Sequence, residues 1–275
     1  TSAIAAILPG RIEADRQERV KRKTPDNMAA YELVLAGKVL HHRSQREAND
    51  EAQKRLERAI ALDPGYAHAH AWRACVLGQA WGYGWCEDRS ATEQLIVKEL
   101  ETARSFDEND SDVHRVLAAV GLLFNDFDMA EQHQATALRL NPNDDLIVVQ
   151  NGEVLTWVGR AEEGIKWIKK AMRLNPFHPP RFWGHLGRAH FTARQYDETI
   201  KAYGNLSVLD ATARAYLAAS HAWLDDDAGA AKHRDAILKA LPEFTTAAHI
   251  ATLHYKLESD RDHLREGMIK AGLPT

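Results

Sequence analysis

A spacing of 34 residues governs this chain. Ala137 and Ala171, Leu140 and Leu174, Asn141 and Asn175, and Pro142 and Pro176 each stand one such interval apart. Pairs that close a helix recur at Leu62-Asp63, Leu140-Asn141, Leu174-Asn175 and Leu209-Asp210, with Phe106-Asp107 in the second slot, at steps of 44, 34, 34 and 35. A fixed period of this size marks a solenoid, in which each unit buries its apolar face only against its neighbours. Within a period the apolar residues follow a helix face at i, i+4 and i+7, as in Ala52, Leu56 and Ala59. Asn-Pro at 141–142 and 175–176 stops a helix, because proline cannot continue it and restricts the residue before it. The expected fold is all-α: a right-handed superhelix of about six helix-turn-helix units over 27–275. The pattern predicts a further helix over 245–257. Leu264, Met268 and Ile269, with Gly272 as the stop, predict a last amphipathic helix that caps the array.

Composition narrows the function classes. A net charge of −4 over 275 residues gives no electrostatic case for nucleic acid or an anionic membrane surface. No apolar run approaches the roughly 20 residues that a bilayer requires, so membrane insertion is not expected of this segment. Cys75 and Cys86 are too few for a disulfide framework and read as small buried hydrophobes, with a single bridge between them open if the chain is exported. The histidines number 14, but His68 and His70 lie two apart, and His185/His190 and His249/His254 lie five apart. None shows the i, i+4 pairing beside a glutamate that zinc hydrolases use, so neither metal nor cofactor is expected. Asp225, Asp226 and Asp227 read as a solvated turn. Without a glycine-rich phosphate loop or a serine nucleophile elbow, the segment is not expected to be an enzyme in itself.

Residues 1–26 differ from the rest. Between 11 and 23 only Ile12, Ala14 and Val20 are apolar, and a helix polar on every side bridges domains or pairs with another chain. Together with a first residue that is Thr, this reads as a linker from an upstream domain of a longer protein. The 44-residue step places about ten extra residues around Gly82–Ala91, carrying Tyr83 and Trp85 beside Trp81. These aromatics read either as a binding loop or as pins for a longer turn.

On these residues the chain resembles the tetratricopeptide repeat family. Repeat four carries Gly152, Leu155, Gly164, Ile168, Ala171 and Pro176 at that family's offsets, and repeat five carries Trp183, Leu186, Gly187, Tyr196 and Tyr203. Asn151 in place of Leu and Glu108 in place of Pro depart from the pattern. A narrower resemblance rests on NMAAYELVLAGK (27–38), AHAHAWRACVLGQAWGYGWCEDR (67–89), NPNDDLIVV (141–149) and REGMIKAGLP (265–274). Together these are similar to the tetratricopeptide region that follows the catalytic domain of bacterial class III adenylate/guanylate cyclases. That resemblance implies a regulatory or partner-binding module and carries no cyclase residue into this chain.

The family resemblance further implies that the first helix of each pair lines a concave face that receives a protein or peptide segment, or an upstream domain of the same chain. Aligning the repeats puts His70, Arg73, Arg115, Gln150, Glu153, Trp157, His185, Arg188, Ser220 and Trp223 on that face. The arginines suit acidic groups through forked hydrogen bonds, and the tryptophans suit apolar anchoring. A homodimer that brings attached catalytic domains together is the alternative. The expected compartment is the cytoplasm, or the periplasm if the parent is membrane-tethered.

Overall fold

Aspartates set the helix starts. The side chains of Asp88, Asp110, Asp126, Asp144, Asp210 and Asp226 each accept a hydrogen bond from a backbone N–H two or three residues on. Each such cap stabilises by about 1 kcal/mol. Four of the five expected stops are also real: Asp63, Asp107, Asn141 and Asn175 terminate their helices and donate their backbone N–H to the carbonyl four residues back. Leu209-Asp210 closes none, the helix before it ending at Tyr203 and Asp210 capping the next.

The computed structural model describes residues 28–275, and the charged segment 11–23 lies outside them. Among the described residues there are fourteen helices and no strand. Six hairpins follow one another: α1 (Met28–His41) with α2 (Arg46–Leu62), α3 (Ala67–Gly82) with α4 (Arg89–Phe106), and α5 (Ser111–Leu123) with α6 (Phe127–Leu140). Then come α7 (Asp145–Trp157) with α8 (Ala161–Leu174), α9 (Arg181–Thr192) with α10 (Tyr196–Tyr203), and α11 (Ala211–Trp223) with α12 (Asp227–Ala240). Two more helices end the chain, α13 (Thr246–Ile250) and α14 (Glu258–Lys270). The first helices of the hairpins pack on one another along an inner wall, whereas each second helix packs on its partner and on the first helix that follows. That asymmetry curls the stack into a superhelix with the odd-numbered helices inside. Buried hydrophobics accordingly fall into four clusters along the chain, each shared by neighbouring hairpins.

Glycine lets the paired helices close. A Cβ on Gly152 would meet the side chain of Ile168 at 2.5 Å and the carbonyl of Gly164 at 2.7 Å, so α7 and α8 touch backbone to backbone. Trp72, fully buried at the heart of the first two hairpins, donates through its indole to Asp112, 2.9 Å away. The same carboxylate takes Lys38 at 3.1 Å and Arg115 at 2.9 Å, tying three hairpins together. Burial works against the charge on Asp112, but Lys38 and Arg115 overrule it and hold its carboxyl well below the usual range.

Three local expectations need correction. The extra residues of repeat two do not form a loop alone: α3 and α4, with 16 and 18 residues against 13 and 14 in α5 and α6, absorb much of the insertion. The period also shortens near the end. Turn residues with left-handed backbone stand at Asn125, Gly159, Arg194 and Asp225, so the last step is 31 residues rather than 35, because α10 has only 8 residues. Finally, the helix expected over 245–257 stops at Ile250. Residues 251–257 run irregularly and bury Tyr255, whose hydroxyl lies 3.2 Å from that of Thr192 and 2.9 Å from that of Tyr216.

The last helix covers α11, with Gly267 against Trp223 and Ala219. Its approach extends further back along the array. Lys256 donates its N–H to the carbonyl of Trp157, Asp260 pairs with Arg194, and His263 stacks on Trp223 at 4.6 Å between rings. The C-terminal segment thus runs across repeats four, five and six in turn.

Candidate functional site: a cavity on the inner wall

The first helices of repeats one to five enclose a cavity of about 1050 Å³, which the start of α11 and the α10–α11 connection close from the far side. Its polar wall is built on two successive helices at helical spacing. Glu153 stands on α7, and Arg181, His185 and Arg188 form an i, i+4, i+7 stripe on α9. Glu153 sits 3.3 Å from His185 and 3.2 Å from Arg188. Burial would raise the Glu153 carboxyl, yet His185 and then Arg188 hold it far below its ordinary value. Gln150 donates to the backbone carbonyl of Arg115 at 2.6 Å and accepts from its guanidinium at 3.3 Å.

Opposite stand His41 and His42 at the end of the first hairpin's inner helix, with Cys75 3.6 Å from His41. Burial, then the charge of Arg181, pushes His41 well below the usual imidazole range, and His42 is lowered for the same reasons to about 2. Both rings are neutral at any physiological pH. The insert of repeat two supplies an aromatic lip, with Tyr83 and Trp85 stacked 4.6 Å apart. Tyr83 lies within electrostatic reach of Asp210, Arg188 and Arg181, so the curl brings repeat two face to face with repeats five and six.

The residues selected from sequence divide into three groups. Arg115, Gln150, Glu153, His185, Arg188, Tyr83 and Trp85 all line this cavity. His70, Arg73 and Trp81 do not. His70 sits 2.6 Å from Glu99 and packs on Phe106, while Arg73 bridges Glu99 and Glu57, all three partners belonging to second helices. The cavity wall of α3 is instead Ala74, Cys75, Gly78 and Gln79, because the insertion shifts the register of repeat two. Trp81 pins the insert: Phe124 meets its edge at 5.5 Å and Arg89 covers its face at 4.0 Å. Trp81 thus pins the longer turn, whereas Tyr83 and Trp85 face the cavity.

The third group lies under the C-terminal segment. Trp157 is 3% exposed, covered by Tyr255 at 4.8 Å and His254 at 5.7 Å, with Arg188 stacked on its other side at 4.3 Å. Trp223 is covered by His263 and Gly267. Ser220 is fully buried and donates to the carbonyl of Tyr216. With a 31-residue step the counterpart of His185 is Tyr216, not Ser220. Arg181, His41, His42 and Tyr255 escaped the sequence reading. Arg181 had a signal, since it lies one helical turn before His185; the other three depend on contacts between repeats far apart.

Comparison with known proteins bears on the fold. No family model and no curated protein sequence matches the chain. Among solved structures, PilF of Pseudomonas aeruginosa is similar at a TM-score of 0.54 and 18% identity, over 81% of this chain and 96% of that one. The Cut9–Hcn1 hetero-tetramer of the APC/C gives 0.60 at 16% identity over 86% of this chain, which spans 46% of the chain it matches. PilW, a type IV pilus biogenesis factor, gives 0.53 at 14% identity over 72% of this chain and 90% of that one. These likenesses establish an all-helical superhelix of tetratricopeptide type.

Proposed function

We propose that this chain is a non-catalytic interaction scaffold that takes a protein or peptide segment into the cavity on its inner wall. The observation that carries the reading is the cavity itself: about 1050 Å³ of open space, walled by polar side chains from five successive repeats and by an aromatic lip. A large concave site with few, convergent polar groups is the default binding site of a fold. The similarity of 27–38, 67–89, 141–149 and 265–274 to the region downstream of bacterial class III cyclase domains supports a signalling context. On that basis the segment is a regulatory module of a bacterial cyclase-like protein in the cytoplasm, and its ligand is a partner or an upstream domain of its own chain.

Two glycines make the test clean. Gly78 and Gly184 line the cavity, and a Cβ on either meets nothing within 4 Å. Gly184→Trp and Gly78→Trp should therefore fill the space without disturbing the core. Probed against an array of random peptides, the wild type should select a set of binders, and both variants should lose them with their circular dichroism unchanged. Equal selection by wild type and variants would remove the cavity from the reading.

A second reading, pairing of two chains through the open end of the stack, is favoured by Met28, Leu35 and Val39. They are 64%, 42% and 60% exposed on one stripe of α1. Val39→Asp should then shift the sedimentation of the protein toward monomer, and an unshifted boundary would discard it.

A further inference from the structure

The polar wall of the cavity is not balanced in charge. Four guanidinium groups, Arg43, Arg115, Arg181 and Arg188, face two carboxylates, Glu153 and Asp210. Glu153 is engaged by Arg188 and His185. Arg115 shares Asp112 with Lys38 and His68, so that carboxylate does not offset it alone. Only 4% of Arg115 is exposed, and its Nη2 has no hydrogen-bond partner. Arg181 forms no ion pair with the described residues, and its buried Nε also lacks a partner. A buried N–H without an acceptor is costly, more so on a charged group, and Arg188 Nε is a third such group on the cavity lining, so they call for an explanation. Arg115 cannot be relieved by rotation into the core, because it is pinned by Asp112, by Gln150 and by the face of Trp72 at 4.6 Å.

We infer that the cavity binds a small organic anion, whose carboxylate or phosphate is held by the terminal guanidinium nitrogens of Arg181 and whose apolar body lies against the Tyr83–Trp85 pair. Planar guanidinium forks match the oxygens of both anions, and the Tyr83 and Trp85 rings line the same space. The inference uses the cavity of the proposed scaffold but does not require that its ligand be a peptide.

Three further facts fit this ligand. His41 and His42 are held neutral chiefly by burial and then by Arg181, so they add no charge of their own. Burial and the neighbouring Arg115 lower the pKa of Arg181 itself, a like-charge repulsion that a bound anion would cancel. Gly78 and Gly184 leave the middle of the wall free of side chains, giving a body of about ring size room to enter.

The experiment is calorimetric titration of the 275-residue chain with inorganic phosphate, phenyl phosphate and 3-phenylpropanoate. Histidine NMR provides the second readout, since an anion beside Arg181 should move His42 upward from about 2. Phenyl phosphate should bind at least about tenfold more tightly than inorganic phosphate, the worth of one stacked ring. Trp85→Ala should abolish that advantage. Arg181→Gln should weaken both aromatic probes by about tenfold or more, the loss of one charge-assisted hydrogen bond, while folding at least as well as the wild type. A hexapeptide of five alanines and a terminal phenylalanine, with free or amidated C terminus, tests whether the anion arrives on a chain end. If only the free-acid peptide binds, the small-molecule inference falls and the peptide scaffold stands. If the three anions bind wild type and Arg181→Gln equally, they are adventitious ions only and the inference falls. Failure of every anion together with selection of neutral peptides on the array overturns the inference alone; failure of both removes the cavity as a ligand site.

Discussion

The inner wall of this superhelix has two halves built from the same repeat, and they have met opposite fates. Along repeats one to five the first helices face open space with arginine, histidine and glutamate. Along repeats four to six the outer ends of those helices are sealed by residues 254–270 of the same chain. Tyr255 shows what the sealed half prefers: an aromatic ring set edge-on to Trp157, with its hydroxyl between Thr192 and Tyr216. The open half offers charge and unfilled hydrogen bonds instead. A repeat array therefore does not present a uniform groove; the identity of each wall residue, and what the chain does after its last repeat, decide which stretch can take a ligand.

The sharpest way to break this contrast is to unseat the segment. Tyr255→Ala removes a ring that is 5% exposed, and should cost about 3–5 kcal/mol. Hydrogen exchange should then rise across 251–270 while α1–α4 stay protected; a uniform loss of protection would show that the two halves are not separate.

A matched pair of glycines sharpens it further. Gly267 lies in the covered half, where a Cβ would meet Trp223 at 2.5 Å and Ala219 at 2.8 Å, and Gly267→Val should destabilise by about 1–3 kcal/mol through overpacking. Gly184 lies in the open half, and Gly184→Val should change stability by less than about 0.5 kcal/mol, read by urea denaturation. Equal effects would mean the cavity collapses onto the new side chain.

The smallest effect is a dependence on pH. His42 is lowered to about 2, while an unfolded imidazole titrates near 6.5, so below that pH the unfolded chain binds a proton that the folded chain refuses. Stability should fall with acidification from about pH 6.5, and His42→Asn should recover up to about 1.4 kcal/mol at pH 5.5. On the covered side His263, lowered to about 4 by burial and then by Arg194, acts in the same direction. A pH profile unchanged by His42→Asn would place that ring in water.

Much of the fold was legible because its signals are local. The Asn-Pro stops of hairpins three and four and the close contact of Gly152 with Gly164 lie within single hairpins and need no knowledge of the whole. Five of the ten side chains aligned from repeat to repeat line the cavity because repeats of equal length carry register forward, and Tyr83 and Trp85 reach it from the insert. The misplacements fall where length changes. The enlarged second repeat turned His70 and Arg73 toward the outer helices, and the shortened α10 put Tyr216 where Ser220 was expected. The burial of Trp157 was illegible for another reason. Its cover, Tyr255, is 98 residues away and belongs to a stretch whose helical pattern is broken to reach it.

The strap of residues 254–270 also gives the rod a mechanical polarity. Hairpins one to three share only the side-chain tie at Asp112 and no covering strip of chain, so a steady pull should peel them off at lower force, in small steps. The last three are lashed together by one strip of chain and should resist until it tears and then give way at once. Whatever is tethered to the amino end would feel a soft spring, and whatever grips the carboxyl end a stiff clamp.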